Sequence, residues 1–216
     1  MDKSRCRWCT GSEIERNYHD NEWGQPLHDD RKLFEFLILD AFQAGLSWKT
    51  ILLKRENFRA AFDDFDANLI AGYDDKKIEE LMNNAGIIRN KLKINAAVTN
   101  ARAFLDIQSE FGSFDKYIWQ FTGGRTSINR WEDIKQIPAS SKESDEMSKS
   151  LKSRGFKFVG STICYAFMQA AGMINDHEIS CYRYNELTAD LKKKKVRKKL
   201  TVTTGIKNSS KLIKKN

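Results

Sequence analysis

Apolar residues recur at intervals of three and four along most of the chain, and no stretch alternates regularly between apolar and polar positions. The first spacing is that of one face of an α-helix, whereas regular alternation is typical of a half-buried strand. Only two prolines, Pro26 and Pro138, interrupt the sequence. The pattern therefore predicts an all-α domain, and it contains no internal repeat.

Residues that commonly cap helices precede these apolar runs. The predicted helices begin after Asp29 or Asp30, after Ser47, after Asp74, at a capping box of Ser140 and Glu143, and at Ser161. The first of them carries its apolar residues on one side: Leu33, Phe34, Leu37, Ile38 and Ala41. Gly155 is placed to end the helix that precedes Ser161, because glycine is favoured just after a helix.

The composition is that of a globular protein. A chain of 216 residues with 40% hydrophobic residues has enough apolar material for one well-packed domain, which excludes a mainly disordered chain. No apolar run approaches the roughly 20 residues that cross a bilayer, and the polar start lacks the apolar stretch of a secretory signal. We therefore expect a cytoplasmic protein with no membrane partner, whose four cysteines are thiols or metal ligands.

The net charge of +8 comes from the C-terminal end. Residues 183–216 contain 12 Lys/Arg and 2 Asp/Glu, which leaves 25 basic and 27 acidic side chains in residues 1–182. A basic tail of this kind attracts polyanions without sequence specificity, although a tail that only keeps the protein in solution has the same composition. The sequence predicts a folded domain over 1–184 and a basic, disordered tail over 185–216.

A short segment between two predicted helices, Gly155–Gly160, has a glycine at each end. The next helix begins with free N–H groups at Ser161 and Thr162, and a helix N-terminus of this kind attracts a phosphate. The segment could grip a DNA backbone through its amides, which would allow a core of charge −2 to bind DNA. An ordinary helix–helix turn is the alternative.

Cysteine and histidine residues near the two ends of the core have the chemistry of a zinc site. His177 and Cys181 are four residues apart and would share one face of a helix, and Cys6 and His19 lie near the start. Two thiolates and two imidazoles suit tetrahedral Zn²⁺, and four protein ligands indicate a structural ion. Cys9 is a competing ligand, and unconnected thiols and imidazoles remain the other interpretation.

Several longer motifs occur in order between about Cys6 and Tyr182: YHDNEWG (18–24), QAGLSW (43–48), KREN (54–57), AGIIR (85–89), RGFKFVG (154–160) and TICY (162–165). Together these motifs resemble one enzyme family, the bacterial 3-methyladenine DNA glycosylase I family. The resemblance implies a helix–hairpin–helix DNA glycosylase fold and hydrolytic release of 3-methyladenine from alkylated double-stranded DNA, without strand cleavage. It also implies a structural zinc held by Cys6, His19, His177 and Cys181, and a monomer is the expected state.

The resemblance also implies roles for individual residues. Trp48 and Tyr18 would stack on the flipped base, and Trp8 and Trp23 would shape the pocket wall, although core packing is the stronger alternative for Trp23. Gly45 and Leu46 would fill the gap left in the duplex. The hairpin residues expected at the DNA are Gly155, Lys157, Gly160 and Thr162.

Asp40 departs from the family pattern, which usually has a glutamate at this position. The charge is kept but the side chain is one methylene shorter, and we expect Asp40 to retain the role of recognising the base. We interpret Asp20 and Glu22 as local hydrogen-bonding carboxylates. Three other classes remain open: a non-catalytic zinc-stabilised DNA-binding protein, a zinc hydrolase, which would need an open metal position, and an assembly protein that uses the tail.

Overall fold

The computed structural model describes residues 3–191, and most of them are helical. The α-helices in this range are α1 (Glu13–Asn21), α2 (Asp30–Gln43), α3 (Trp48–Ala61), α4 (Ala67–Ala71), α5 (Asp75–Asn83), α6 (Lys91–Phe111), α7 (Phe114–Ile118), α8 (Lys142–Ser153), α9 (Ser161–Ala170) and α10 (182–191). Short 3-10 turns lie at Arg7–Cys9, Asp63–Phe65, Trp119–Thr122 and Ile134–Gln136. No helix among the described residues is long and apolar enough to cross a membrane.

The helical prediction is confirmed, with one small addition. Ser127–Ile128 (β1) pairs in parallel with Ile174–Asn175 (β2). These strands were not predicted, because two residues are too few to show an alternating pattern.

The predicted domain boundary at residue 184 falls inside α10, where Tyr184 and Leu187 are both buried. The folded part therefore extends past this boundary. Of the predicted tail, residues 192–216 lie outside the described part of the chain.

Most of the predicted helix starts are confirmed by hydrogen bonds from the first turn. The side chains of Asp29, Ser47 and Asp74 each accept a hydrogen bond from the backbone N–H three residues later. The capping box of α8 was predicted one residue too early, because Ser141 and Ser144 form it instead of Ser140 and Glu143. The N-cap of α9 is Gly160, and no side chain caps this helix.

Helix α2 forms the centre of the fold. Every residue from 33 to 42 is buried, and α2 packs against α3, α6, α7 and α9. The five apolar residues that were predicted to share one side of α2 are all buried, and neighbouring helices cover its other sides as well. Two acidic residues, Glu35 and Asp40, lie within this buried stretch.

The two ends of the described chain meet beside this helical core. Tyr182 donates its backbone N–H to Ser4 O over 2.9 Å, and Arg7 donates its backbone N–H to Glu178 Oε1 over 3.2 Å. The segment after α1 lies against the end of α9, where Leu27 N–H donates to Ala171 O over 3.1 Å. These contacts hold α1, α9 and the C-terminal segment together.

Gly172 lies where the end of α9 touches the segment after α1, and we expect substitution there to be costly. Its φ is +65°, and an added Cβ would collide with the backbone of Gln25 and Pro26. Gly172→Ala should lower the free energy of unfolding by about 3 kcal/mol or more, measured by chemical denaturation. Gly124→Ala is the matched control, since Gly124 has a φ of +69° but open space around it, and should cost only about 1 kcal/mol. Equal losses in the two variants would show that the close approach is unimportant.

Candidate active site

A pocket of about 350 Å³ opens where α1, α2, α3 and α9 meet. Aromatic side chains form much of its wall, and a single acidic side chain lies in it. The lining residues are Trp8, Tyr18, Trp23, Asp40, Gln43, Trp48, Ile134, Ile137, Ala166, Gln169 and Ala170. The structure therefore brings together all of the residues that were predicted to recognise the base.

The aromatic rings of the pocket pack against one another at steep angles. The ring centroids of Tyr18 and Trp48 are 5.2 Å apart, and those of Trp8 and Trp23 are 5.1 Å apart. Tyr18 and Trp23 are buried, whereas Trp8 and Trp48 are half-buried. The indole Nε1 atoms of Trp8 and Trp48 are buried without a hydrogen-bond partner among the described residues. Both indoles thus retain a hydrogen-bond donor for a ligand.

Asp40 is the acidic residue of the pocket, and it is only 2% exposed. Its Oδ2 atom has no hydrogen-bond partner within the described chain. Burial raises the pKa of Asp40 well above its ordinary value, because the charged form has lost its water. The same burial raises the pKa of Tyr18, and the charges of Asp40 and Glu22 add to the effect. Tyr18 is therefore a neutral phenol, and Asp40 is a carboxyl group that a cation would stabilise in its ionised form.

Behind the pocket, Arg55 of α3 joins two other elements. Its guanidinium donates to Glu35 of α2 over 2.6 Å and to Glu22, at the end of α1, over 2.7 Å. The interpretation of Glu22 as a local carboxylate is confirmed, as is that of Asp20, which accepts hydrogen bonds from Arg5. Arg55 was not predicted as a functional residue, although it lies within the KREN motif (54–57) and occupies a position on α3 where the helical spacing predicts an apolar residue.

The turn between α2 and α3 lies at the edge of the pocket and carries Gly45 and Leu46. Gly45 has a φ of +81°, which favours glycine, and an added Cβ would meet no atom within 4 Å. Leu46 is 41% exposed. Gly45 and Leu46 thus lie in an exposed turn between two residues that line the pocket, Gln43 and Trp48.

The α8–α9 connection is the segment that was predicted to be a hairpin, and two buried side chains hold its backbone. Asn100 of α6 donates to Lys157 O over 3.1 Å and accepts from Lys157 N–H over 2.7 Å. Ser148 donates to Val159 O over 2.6 Å. Lys157 and Thr162 themselves are exposed, and Gly155 has a φ of +92°. The α8–α9 connection therefore has a fixed backbone and exposed polar groups.

Three of the four predicted metal ligands come together in the core. One ligand atom from each of Cys6, His19 and Cys181 lies within 4.8 Å of the others. His177 lies beside them, with its ring centroid 4.9 Å from that of His19, and its Nε2 atom is buried without a partner among the described residues. Cys9 is also buried, but its thiol donates to Cys6 O.

The ionisation of this cluster differs between its members. A hydrogen bond from Cys6 lowers the pKa of Cys181 against the opposing effect of burial, which favours a thiolate, and the same bond raises the pKa of Cys6. Burial, followed by the positive charge of His19, lowers the pKa of His177 to about 3 and keeps its imidazole neutral. At His19, burial is outweighed by hydrogen bonds to Cys181 and Cys9, which raise its pKa to about 10. A thiolate and a neutral imidazole are the forms that bind a metal ion, so Cys6 and His19 would each release a proton on binding one.

The Cys/His cluster, meaning Cys6, His19, His177 and Cys181, lies directly behind the aromatic wall. The ring centroids of Trp23 and His177 are 4.5 Å apart, and those of Trp8 and His19 are 5.6 Å apart. The prediction that core packing is the stronger role for Trp23 agrees with its 8% exposure, although Trp23 also lines the pocket.

Several lining residues were not anticipated. Ile134 and Ile137 come from an irregular segment with no sequence signal, whereas Ala166 and Ala170 are small residues one helical turn apart on α9. The segment carrying the isoleucines is held by Asp176, which accepts hydrogen bonds from Asn129 and Trp131 over 2.7 Å each.

Comparison with known proteins agrees with this geometry. The model of the family described as methyladenine glycosylase matches residues 8–184. DNA-3-methyladenine glycosylase 1 of Escherichia coli (strain K12) is 46% identical over 180 residues, which cover 83% of this chain and 96% of that protein. A crystal structure of 3-methyladenine DNA glycosylase I aligns with a TM-score of 0.81 and 48% identity, covering 83% of this chain and 98% of that one.

A variant of 3-methyladenine DNA glycosylase I, solved in complex with 3-methyladenine, aligns with a TM-score of 0.80 and 35% identity, covering 82% of this chain and 96% of that one. The resemblance seen in the sequence motifs is thereby confirmed over the folded part of the chain. The chain belongs to the methyladenine glycosylase family.

Proposed function

We propose that this protein is a DNA repair enzyme that hydrolyses the N-glycosyl bond of 3-methyladenine in alkylated DNA. The observation that carries the proposal is Asp40, a buried carboxyl group that has no cationic partner among the described residues and is enclosed by aromatic rings. Relatives of the same family are DNA-3-methyladenine glycosylases, and one similar structure holds 3-methyladenine. Excision of the damaged base is the first step of base excision repair.

The chemistry of the substrate explains why a pocket that binds and orients the base is sufficient for catalysis. N3-methylation gives adenine in DNA a positive charge, which weakens the bond between the base and C1′ of the sugar. When this bond breaks, the bonding electrons go to the base, which leaves as neutral 3-methyladenine. Water then adds to the oxocarbenium-like sugar and loses a proton, which leaves an abasic site. The enzyme therefore has to extract, hold and orient the nucleotide, with no need to protonate the leaving base strongly.

The aromatic rings supply the binding surface for this cationic base. A cationic π system stacks well on electron-rich rings, and Trp48 and Tyr18 lie 5.2 Å apart at the pocket. Trp8 and Trp23 would shape the wall beside Tyr18, and the buried indole N–H of Trp8 is available to an acceptor atom of the base. Stacking offsets part of the free energy needed to flip the nucleotide, which is a few kcal/mol.

Asp40 supplies recognition of charge. A buried carboxylate is unfavourable alone, but a cationic base that enters the pocket stabilises its ionised form and donates a hydrogen bond to it. Neutral purines do not offer this compensation, so the same group discriminates against normal bases. The carboxylate also stabilises the positive charge that develops on the sugar as the bond breaks.

The turn and the hairpin provide the contacts to DNA. Leu46 is exposed beside the pocket and would replace the extracted base within the stack, with Gly45 allowing close approach. The α8–α9 unit would act as a helix–hairpin–helix motif, in which the backbone around Gly155, Gly160 and Thr162 binds a phosphate and Lys157 adds a charge. A monomer acting in the cytoplasm is consistent with this function.

The Cys/His cluster fits a structural zinc ion. The donors are two sulfurs and two imidazoles, three of them already lie together, and the buried Nε2 atom of His177 has no partner among the described residues. Zinc bound by four protein ligands would join the N-terminal segment to the C-terminal segment behind Trp8 and Trp23. This stabilises the wall of the pocket and adds no chemistry to the reaction.

We expect Asp40→Asn to slow release of 3-methyladenine from methylated duplex DNA by about 10- to 100-fold, because the charge-assisted contact to the base is lost. The released bases are separated and measured by chromatography. Asp106→Asn, an exposed carboxylate on α6, is the control and should behave as wild type. Undiminished activity and base affinity in Asp40→Asn would move recognition elsewhere, and absence of release from the folded wild type would favour the non-catalytic DNA-binding alternative.

The raised pKa of Asp40 also predicts the pH dependence of the reaction. Since the ionised form binds the cationic base, kcat/KM should increase with pH until Asp40 has lost its proton, at a pH above the usual aspartate value of about 4. The measurement is a pH profile of kcat/KM, and Asp40→Asn should lack this rise. A rise that persists unchanged in the variant would assign it to another group.

Metal analysis of two variants tests the zinc ligands. His177→Ala should lower the zinc content per chain and lower the melting temperature by about 5 °C or more, because the ion stabilises the folded state. Cys9→Ser should retain zinc, since the Cys9 thiol donates to the backbone carbonyl of Cys6. If Cys9→Ser lost zinc and His177→Ala retained it, the fourth ligand would be Cys9 and not His177.

A further inference from the structure

Lys93, in the first turn of α6, is a buried lysine that contacts the end of α2. Its side chain is 7% exposed, and Nζ donates to Phe42 O over 2.8 Å and to Ala44 O over 2.6 Å. Phe42 lies in the last turn of α2, and Ala44 is its C-cap. The lysine thus reaches across about 50 residues of sequence to bind the backbone of the turn that carries Leu46.

The burial of Lys93 has to be compensated by favourable contacts, because buried ammonium groups are unfavourable. Within the described chain, Lys93 forms no ion pair with a carboxylate, and both of its hydrogen bonds go to backbone carbonyls. Burial lowers the pKa of Lys93 accordingly. The partial negative charge at the C-terminus of α2 offsets some of this cost, since cations are favoured at helix C-termini.

These bonds complete the backbone of the turn. Leu46 N–H donates to Gln43 O over 2.6 Å, so the carbonyls of Phe42, Gln43 and Ala44 all have partners. Gly45 has no atom within 4 Å of an added Cβ, and Leu46 is 41% exposed. The turn therefore receives little side-chain packing at its tip, and Lys93 supports it from the side of α6.

We propose that Lys93 is a positioning residue that holds the α2–α3 turn in the shape with which Leu46 enters the duplex. The proposal rests on the function proposed above, in which Leu46 fills the space of the extracted base. Stacked bases on either side push against this side chain, and a glycine-containing turn without support would yield. Lys93 resists that displacement through two hydrogen bonds to the turn, at a distance from the base itself.

The test compares Lys93→Met with wild type on a methylated oligonucleotide, either alone or annealed to its complement. In duplex DNA, Lys93→Met should slow release of 3-methyladenine by about tenfold or more, because the wedge is needed there. In single-stranded DNA, where no partner base is displaced, the loss should stay below about threefold. Quenching of tryptophan fluorescence by free 3-methyladenine should give the same affinity for both proteins. Lys76→Met, an exposed lysine on α5, is the charge-matched control and should lose nothing.

A double-mutant cycle with Leu46→Ala identifies the route of the effect. If Lys93 acts through Leu46, Lys93→Met should lose little further duplex activity in the Leu46→Ala background. Additive losses, or equal losses on both forms of DNA with weaker binding of the free base, would overturn the proposal. If Lys93→Met does not fold, Lys93→Gln is tested in its place: its shorter side chain keeps N–H donors, so the same selective loss on duplex DNA should appear in weaker form. Wild type that releases no 3-methyladenine from either form would instead refute the proposed function.

Discussion

Asp40 and Glu35 lie on the same buried helix, but they differ in whether a cation accompanies them. Glu35 is paired with Arg55, whereas Asp40 faces the pocket with one oxygen atom unbonded within the described chain. An unpaired buried carboxyl costs several kcal/mol in its ionised form. The enclosure of α2 by neighbouring helices and the aromatic wall maintains this condition, and the attraction for a cationic base follows from it. The rest of the site serves to keep Asp40 buried until a ligand enters.

The aromatic wall in turn depends on the meeting of the two chain ends. Trp8 and Trp23 pack against the imidazoles of His19 and His177, so the Cys/His cluster forms the back of the pocket. Arg55 joins α1, α2 and α3 on another side through Glu22 and Glu35. Two polar clusters thus fix the positions of Tyr18, Asp40 and Trp48 relative to one another, although neither cluster contacts the base in the proposed mechanism.

Sequence reasoning succeeded where the relevant interaction is local or belongs to a long motif. Helix starts at Asp29, Ser47 and Asp74 depend on bonds within one turn, and the pocket residues lie in motifs shared with the family. It failed where distant elements decide the outcome. The burial of α2 on all sides depends on four other helices, and Ile134 and Ile137 reach the pocket from an irregular segment. Lysine is a residue type that usually lies at the surface, and only the contact of Lys93 with α2 reveals its buried position.

Closing the Cys/His cluster also has a consequence for how the protein forms. Cys181 contacts His19 across 162 residues of sequence, and a contact between such distant residues carries a large loop-closure entropy. We therefore expect the helical core to assemble before the back of the pocket does. During synthesis, Cys6 and His19 cannot contact Cys181 until nearly the whole core has been translated. A polypeptide that stops short of Cys181 lacks the support for its aromatic wall, so only the completed domain has a closed pocket.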